Sequence, residues 1–162
     1  MSNLVTILDD VVGTRKYKLL RDIRNGDYVQ DKCGNFNRVL ELIPTGIKKV
    51  LKVELSCGFI KPICVDEDRK ILAIHIDKKS KSKKLDFFTI KEISLDFDRY
   101  IFPLGRSTPS GSDFNVDNHC IYVKIKSINE SPEDETYDIY VENINEYQLS
   151  SGIVFKSLTG NE

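Results

Sequence analysis

The chain is 162 residues long, 40% apolar and 30% charged, with a formal net charge of −1. That length suits a single domain with its own core, and the near-neutral balance gives no global electrostatic reason to expect nucleic acid or a membrane surface as partner. No apolar run approaches the roughly 18 residues of a membrane span, and Met1-Ser2-Asn3-Leu4 lacks the basic and apolar regions of a signal peptide, so a cytoplasmic location without secretion by a signal peptide is expected.

In chain order, Ile7 to Val12 fits one helical turn. Residues 17–29 and 38–40 carry short apolar stretches around two Gly turns, Asn25-Gly26-Asp27 and Cys33-Gly34-Asn35. Pro44-Thr45-Gly46 and Cys57-Gly58 are further turn signals. Between them, Leu51, Val53 and Leu55 alternate with Lys52 and Glu54, the period of a half-buried strand. Ile71-Leu72-Ala73-Ile74 reads as a short buried strand. Lys78 to Lys84 (KKSKSKK) reads as a loop, and Phe87 to Leu95 fits a short helix or a strand. Gly105 to Asn118, rich in Ser, Gly, Pro and Asp, reads as a second loop.

Ile121, Val123 and Ile125 then alternate with Tyr122, Lys124 and Lys126. Tyr137, Ile139 and Val141 alternate with Asp138, Tyr140 and Glu142, which places the first set toward the core and the second toward solvent. The acidic stretch Glu130 to Glu135 between these strands reads as a hairpin loop, and Ser151-Gly152 as a last turn. Many short strands with closely spaced turns predict an all-β domain spanning 1–162, with residues 78–118 as an inserted loop region.

Three phrases carry a resemblance. YKLLRDIRNGDYV (17–29), followed by a Gly turn and Arg38-Val39-Leu40, resembles an intein segment of the form I–x–x–I–x–x–G–D–x–V. Residues 49–74 are similar to the strand, Gly turn and strand that in inteins bear a Thr-x-x-His motif. YDIYVENINEYQLSSGIV (137–154) resembles the intein C-terminal phrase that runs from Y-D-I to a His-Asn end. The order of the three is the intein order, and together they cover about half the chain. The resemblance is to the Hint (hedgehog/intein) family in its mini-intein form. It implies a horseshoe of antiparallel strands with both termini near its centre, and a region around 78–118 where inteins accept insertions.

It also implies what chemistry to look for. Splicing needs a first-position Cys or Ser as nucleophile, a proton-donating His in the second phrase, a penultimate His and a terminal Asn that cyclises. Ungapped alignment puts Leu4 at the first position. It puts Val65 and Asp68 at the Thr and His, Asn145 at the usual third-phrase His, and Lys156-Ser157 at the final His-Asn. Leucine is no nucleophile, an ionised carboxylate donates no proton, and serine forms no succinimide. No catalytic residue is therefore assigned, with Ser2 and Cys64 kept as residual nucleophile candidates. Few residues flank Leu4 and Ser157, so little is expected to be spliced.

The remaining signals are less specific. Cys33, Cys57, Cys64 and Cys120 show no CxxC or zinc spacing and are expected as free thiols in a reducing compartment. His75 and His119 could pair with Asp68, Asp77 or Cys120, but no metal and no cofactor is assigned. The lysines of 78–84, near Phe87 and Phe88, could meet phosphates, although Asp77, Asp86 and Glu92 flank them.

The functional expectation is a catalytically inactive Hint domain serving as a structural or protein-interaction module. Its implied setting is an accessory part of a phage assembly. The alternatives are residual autoprocessing by acyl shift and a small nucleic-acid-binding β domain.

Overall fold

The computed structural model describes residues 3–9, 11, 13–107 and 121–157. Eleven strands pair throughout in antiparallel fashion. They are β1 Leu4–Asp9, β2 Thr14–Leu19, β3 Tyr28–Gln30, β4 Phe36–Leu55, β5 Ile63–Asp66, β6 Lys70–Ile76, β7 Lys83–Thr89, β8 Tyr100–Pro103, β9 Tyr122–Val141, β10 Glu146–Gln148 and β11 Val154–Lys156. The pairing path runs β10-β11-β6-β8-β9-β4-β3-β1-β2, with β5 on β4 and β7 on β6. Its two ends meet. Val5 bridges Leu149, the Ser150 amide donates to the Leu4 carbonyl at 2.9 Å, and the Thr6 hydroxyl donates to the Leu149 carbonyl at 3.2 Å. The curled sheet encloses one apolar cluster that includes Val5, Ile7, Val53, Ile71, Phe102, Ile139 and Phe155.

The long strands β4 and β9 hold the two halves together. Each has 20 residues, well beyond the ordinary strand. Their ends are buried and their middles exposed, so residues 43–49 and 131–137 form a two-stranded ribbon between two packed regions. Register shifts at Val39/Glu41, Pro44/Gly46, Lys48/Val50 and Glu54/Leu55 bend the ribbon without ending it.

This explains two departures from the sequence reading. Pro44-Thr45-Gly46 is a bulge inside β4, where Gly46 at φ +96° takes a backbone conformation closed to most residues. Glu130 to Glu135 is no hairpin loop but the middle of β9, and its charges are tolerated because that stretch faces solvent. Pro132 has no partner in the β4–β9 register, at the shift between Lys48 and Val50, where a missing N–H costs no ladder bond.

Other readings change as well. Ile7 lies in β1 with its side chain in the core, not in a helical turn, while Val12 falls outside the described residues. The region 78–118 is not loop throughout. Lys83–Thr89 is β7, Ile90–Leu95 is the helix α1, and Tyr100–Pro103 is β8. Phe87 to Leu95 is thus strand and then helix. The switch is made by Thr89, whose hydroxyl accepts from the Glu92 amide while the Glu92 carboxylate accepts from the Thr89 amide. Residues 108–118 fall outside the described residues.

The end strand β2 is exposed along most of its length. Lys16 and Lys18 stand opposite Ile7 and Val5, on the core-side face of the β1–β2 pair. Charges there keep another chain from adding to the edge, and the Lys18 ammonium is held by Asp27 at 3.1 Å.

Candidate functional site

The turn after β5 carries a buried arginine. Asp66 ends β5, and the Arg69 amide donates back to the Asp66 carbonyl at 2.9 Å, closing a tight turn. The Arg69 carbonyl in turn accepts from the Ile90 amide at 3.0 Å, which ties the turn to the start of α1. The Arg69 side chain therefore points inward. Its Nε meets Asp66 Oδ1 at 3.2 Å and its Nη1 meets Asp138 Oδ1 at 3.1 Å. Nη1 also donates to the Tyr147 hydroxyl at 3.1 Å, and Nη2 donates to the Tyr137 carbonyl at 2.6 Å. The Phe155 ring lies 5.6 Å from the guanidinium carbon. Both carboxylates and the phenol are buried.

Electrostatics follow from this geometry. Burial alone would lower the Arg69 pKa, but Tyr147, Asp138 and Asp66 outweigh it, so the guanidinium is held more firmly protonated than usual. Burial pushes the Tyr147 phenol well up, against the pull of Arg69. Neither the guanidinium nor the phenol is set to exchange a proton near neutral pH.

Beside it opens a small cleft of about 40 Å³, room for a water or two. Asn3, Cys64, Asp66, Arg69, Tyr137 and Phe155 contribute to its wall. The N-terminal strand, the β5–β6 turn, the end of β9 and the last strand thus converge at one place. Asn3 is positioned by its own side chain, which donates to the Cys64 carbonyl at 2.7 Å and accepts from the Cys64 amide at 3.1 Å.

No protein-family model and no curated protein sequence matches the chain. Solved structures do. A DnaB intein from Synechocystis sp. PCC 6803 superposes with a TM-score of 0.66 at 16% identity, over 98% of this chain and 98% of that one. The gp41-1 intein gives 0.61 at 19% identity, over 97% and 99%. The MchDnaB-1 intein gives 0.55 at 18%, over 98% and 100%. The chain has the Hint fold, in its mini-intein form.

Within this Hint fold the residues singled out from sequence scatter. Leu4 opens β1 half-exposed, opposite Leu19 of β2, and its carbonyl accepts from the Ser150 amide. Val65 pairs with Leu51 and packs in the core. Asp68 faces solvent, 67% exposed, with Lys48 at 3.7 Å. The side chains that line the cleft are one residue further along, Asp66 and Arg69, with the same i, i+3 spacing. Asn145 accepts the Ser157 amide on its carbonyl at 3.0 Å. Lys156 ends β11 with its ammonium 5.8 Å from the Phe87 ring. Ser157 is fully buried, and its hydroxyl has no partner among the described residues.

Cys64 does lie on the cleft wall, but burial raises its thiol pKa, so little thiolate is present at neutral pH. Ser2, His119 and Cys120 fall outside the described residues. His75 sits in β6, its ring 4.9 Å from that of Tyr100 and 6.3 Å from that of Phe88. Among the described residues no three His, Cys, Asp or Glu side chains converge as a metal site would require.

Sequence reasoning missed Asp66, Arg69, Asp138 and Tyr147. Asp138 is the clearest case, because alternation along β9 assigned it to solvent and it is fully buried. The readable signal was three charged residues, at positions 66, 69 and 138, inside or beside strands whose other members are apolar.

Proposed function

We propose that this chain is a Hint-fold module without self-splicing chemistry, used for structure or protein contact. The observation that supports it is the Arg69 cluster. Moved one residue along to the pair that lines the cleft, the Thr-x-x-His spacing falls on Asp66 and Arg69. A histidine there could give and take a proton near neutral pH. An arginine bound by two carboxylates, a phenol and a carbonyl can donate hydrogen bonds but cannot release its proton. Leu4 offers no nucleophile, Ser157 no side-chain amide, and Cys64 a suppressed thiolate. The accessory role in a phage assembly is the setting that the resemblance implies.

The test is intact mass. The chain is placed between two folded flanking domains and followed for a day with added thiol. An unchanged mass is expected. A discrete fragment cut at either junction would overturn the reading and restore autoprocessing, and the cut site would identify the nucleophile.

A further inference from the structure

The lysine run at 78–84 is not used by the cleft or by the proposed role. The fold turns it into the end of a built hairpin. β6 and β7 pair in continuous register from Lys70↔Thr89 to Ile76↔Lys83. The turn between them is closed by two backbone bonds, Asp77 amide to Ser82 carbonyl and Lys81 amide to Asp77 carbonyl, both 2.9 Å. Asp77 is spent inside this turn. Its carboxylate accepts from the Ser80 hydroxyl at 2.8 Å and the Lys79 amide at 3.3 Å. Those bonds hold it below the usual carboxylate range.

The five lysines that result are all exposed. Lys84 has a long contact with Asp86 at 3.8 Å. Lys78, Lys79, Lys81 and Lys83 have no carboxylate within ion-pair distance among the described residues.

Register adds a second feature. Lys84 stands opposite His75, and His75 opposite Tyr100, so the three form a row across one face of β7, β6 and β8. Phe88 joins on that face, with its ring 5.2 Å from Tyr100. A cationic tip therefore leads into half-buried aromatic rings at the root of the hairpin. Lysines beside rings suit a chain that carries both phosphates and flat bases. A membrane surface would ask for exposed large apolar side chains beside the lysines. Those among the described residues are Leu4, Val11, Tyr17, Ile47, Phe59, Leu95, Ile121 and Tyr122, and none is on this hairpin.

We propose that the β6–β7 hairpin and the His75–Phe88–Tyr100 rings at its root form a contact surface for single-stranded nucleic acid. Lys78, Lys79 and Lys81 at the tip and Lys84 on the ring face meet phosphates, and the rings meet bases. The surface is separate from the Arg69 cluster, and the proposal does not depend on whether self-cleavage survives.

The test is fluorescence anisotropy of a labelled oligothymidine with the whole chain, titrated at increasing salt. Binding is expected at low salt, with log K falling against log salt at a slope of roughly −3 for four lysine contacts. Replacing the four with Lys78→Gln, Lys79→Gln, Lys81→Gln and Lys84→Gln is expected to cost at least about tenfold in affinity and most of the slope. Circular dichroism would check that the variant keeps its strands. A control variant on β4, with the three changes Lys48→Gln, Lys49→Gln and Lys52→Gln, is expected to bind as the unmodified chain does.

No binding at low salt would overturn the proposal. So would undiminished binding by the folded hairpin variant, or an equal loss from the control variant. Binding to phosphatidylserine vesicles with none to the oligonucleotide would overturn it too, and would assign the hairpin to a membrane surface.

Discussion

Arg69 is a charge removed from water and compensated by Asp66, Asp138, the Tyr147 hydroxyl and the Tyr137 carbonyl. Such a cluster can be close to neutral for stability as a whole, yet removing one member strands the others. Arg69→Met leaves two buried carboxylates with no cation, and a loss of about 3–5 kcal/mol in urea unfolding is expected. Adding Asp66→Asn and Asp138→Asn to that variant should recover much of the loss. A single-variant change below about 1 kcal/mol would mean that water reaches the site and screens the carboxylates.

The contacts of Arg69 beyond its own turn could not be read from the chain, because Tyr137, Asp138 and Tyr147 are 68 or more residues away. Asp66 and Arg69 themselves were legible only as charged residues at the end of an apolar stretch. Which of positions 65, 66, 68 and 69 faces inward depends on the turn, and a one-residue slip there exchanges core for solvent.

Among the elements, the β4–β9 ribbon shows how local signals mislead. Pro44-Thr45-Gly46 has turn chemistry, and here that chemistry makes a bulge. Gly46 supplies the positive φ, the Thr136 hydroxyl donates to its carbonyl at 2.9 Å, and Thr45 and Thr136 hydroxyls meet at 2.7 Å across the pair. A Cβ at Gly46 would touch nothing within 4 Å, so the penalty for Gly46→Ala is purely one of backbone conformation. About 1–2 kcal/mol of destabilisation is expected in chemical denaturation. Gly46→Asn should cost less, because Asn tolerates that region better. Equal stability in all three would show that the ribbon relaxes to a different register. The strands at 51–55 and 71–74 were legible because one face or both are buried in the core, whereas 137–141 was legible as a strand but not in its faces, since Asp138 is buried.

Over the whole molecule, Lys32 and Tyr147 are among the groups that hold protons which the unfolded chain gives up in alkali. Lys32 loses some charge preference to burial. Its hydrogen bond and charge pairing with Glu146, at 2.8 Å, more than restore it, so its pKa lies above the ordinary 10.5. Tyr147 is likewise raised above its ordinary 10.0, by burial. Each contributes stability that is present below the unfolded pKa and lost as pH rises above it, since the unfolded state then releases a proton that the folded state keeps. The melting temperature is therefore expected to fall progressively above pH 10. Tyr147→Phe and Lys32→Met should each flatten that alkaline limb, even where they lower stability at neutral pH. A limb of unchanged slope in both variants would place the titration elsewhere.

At this scale the division of information is clear. The sequence by itself determined strand content and the order of three phrases. These depend on residue type and on spacing over a few residues. The tertiary structure decided that a buried arginine occupies the cleft, that 78–84 is the end of a hairpin, and that 130–135 continues a strand. The reason is that burial and charge pairing belong to partners brought together by the curling of the sheet. Asp66 has no value as a partner until β9, β10 and β11 close over Arg69.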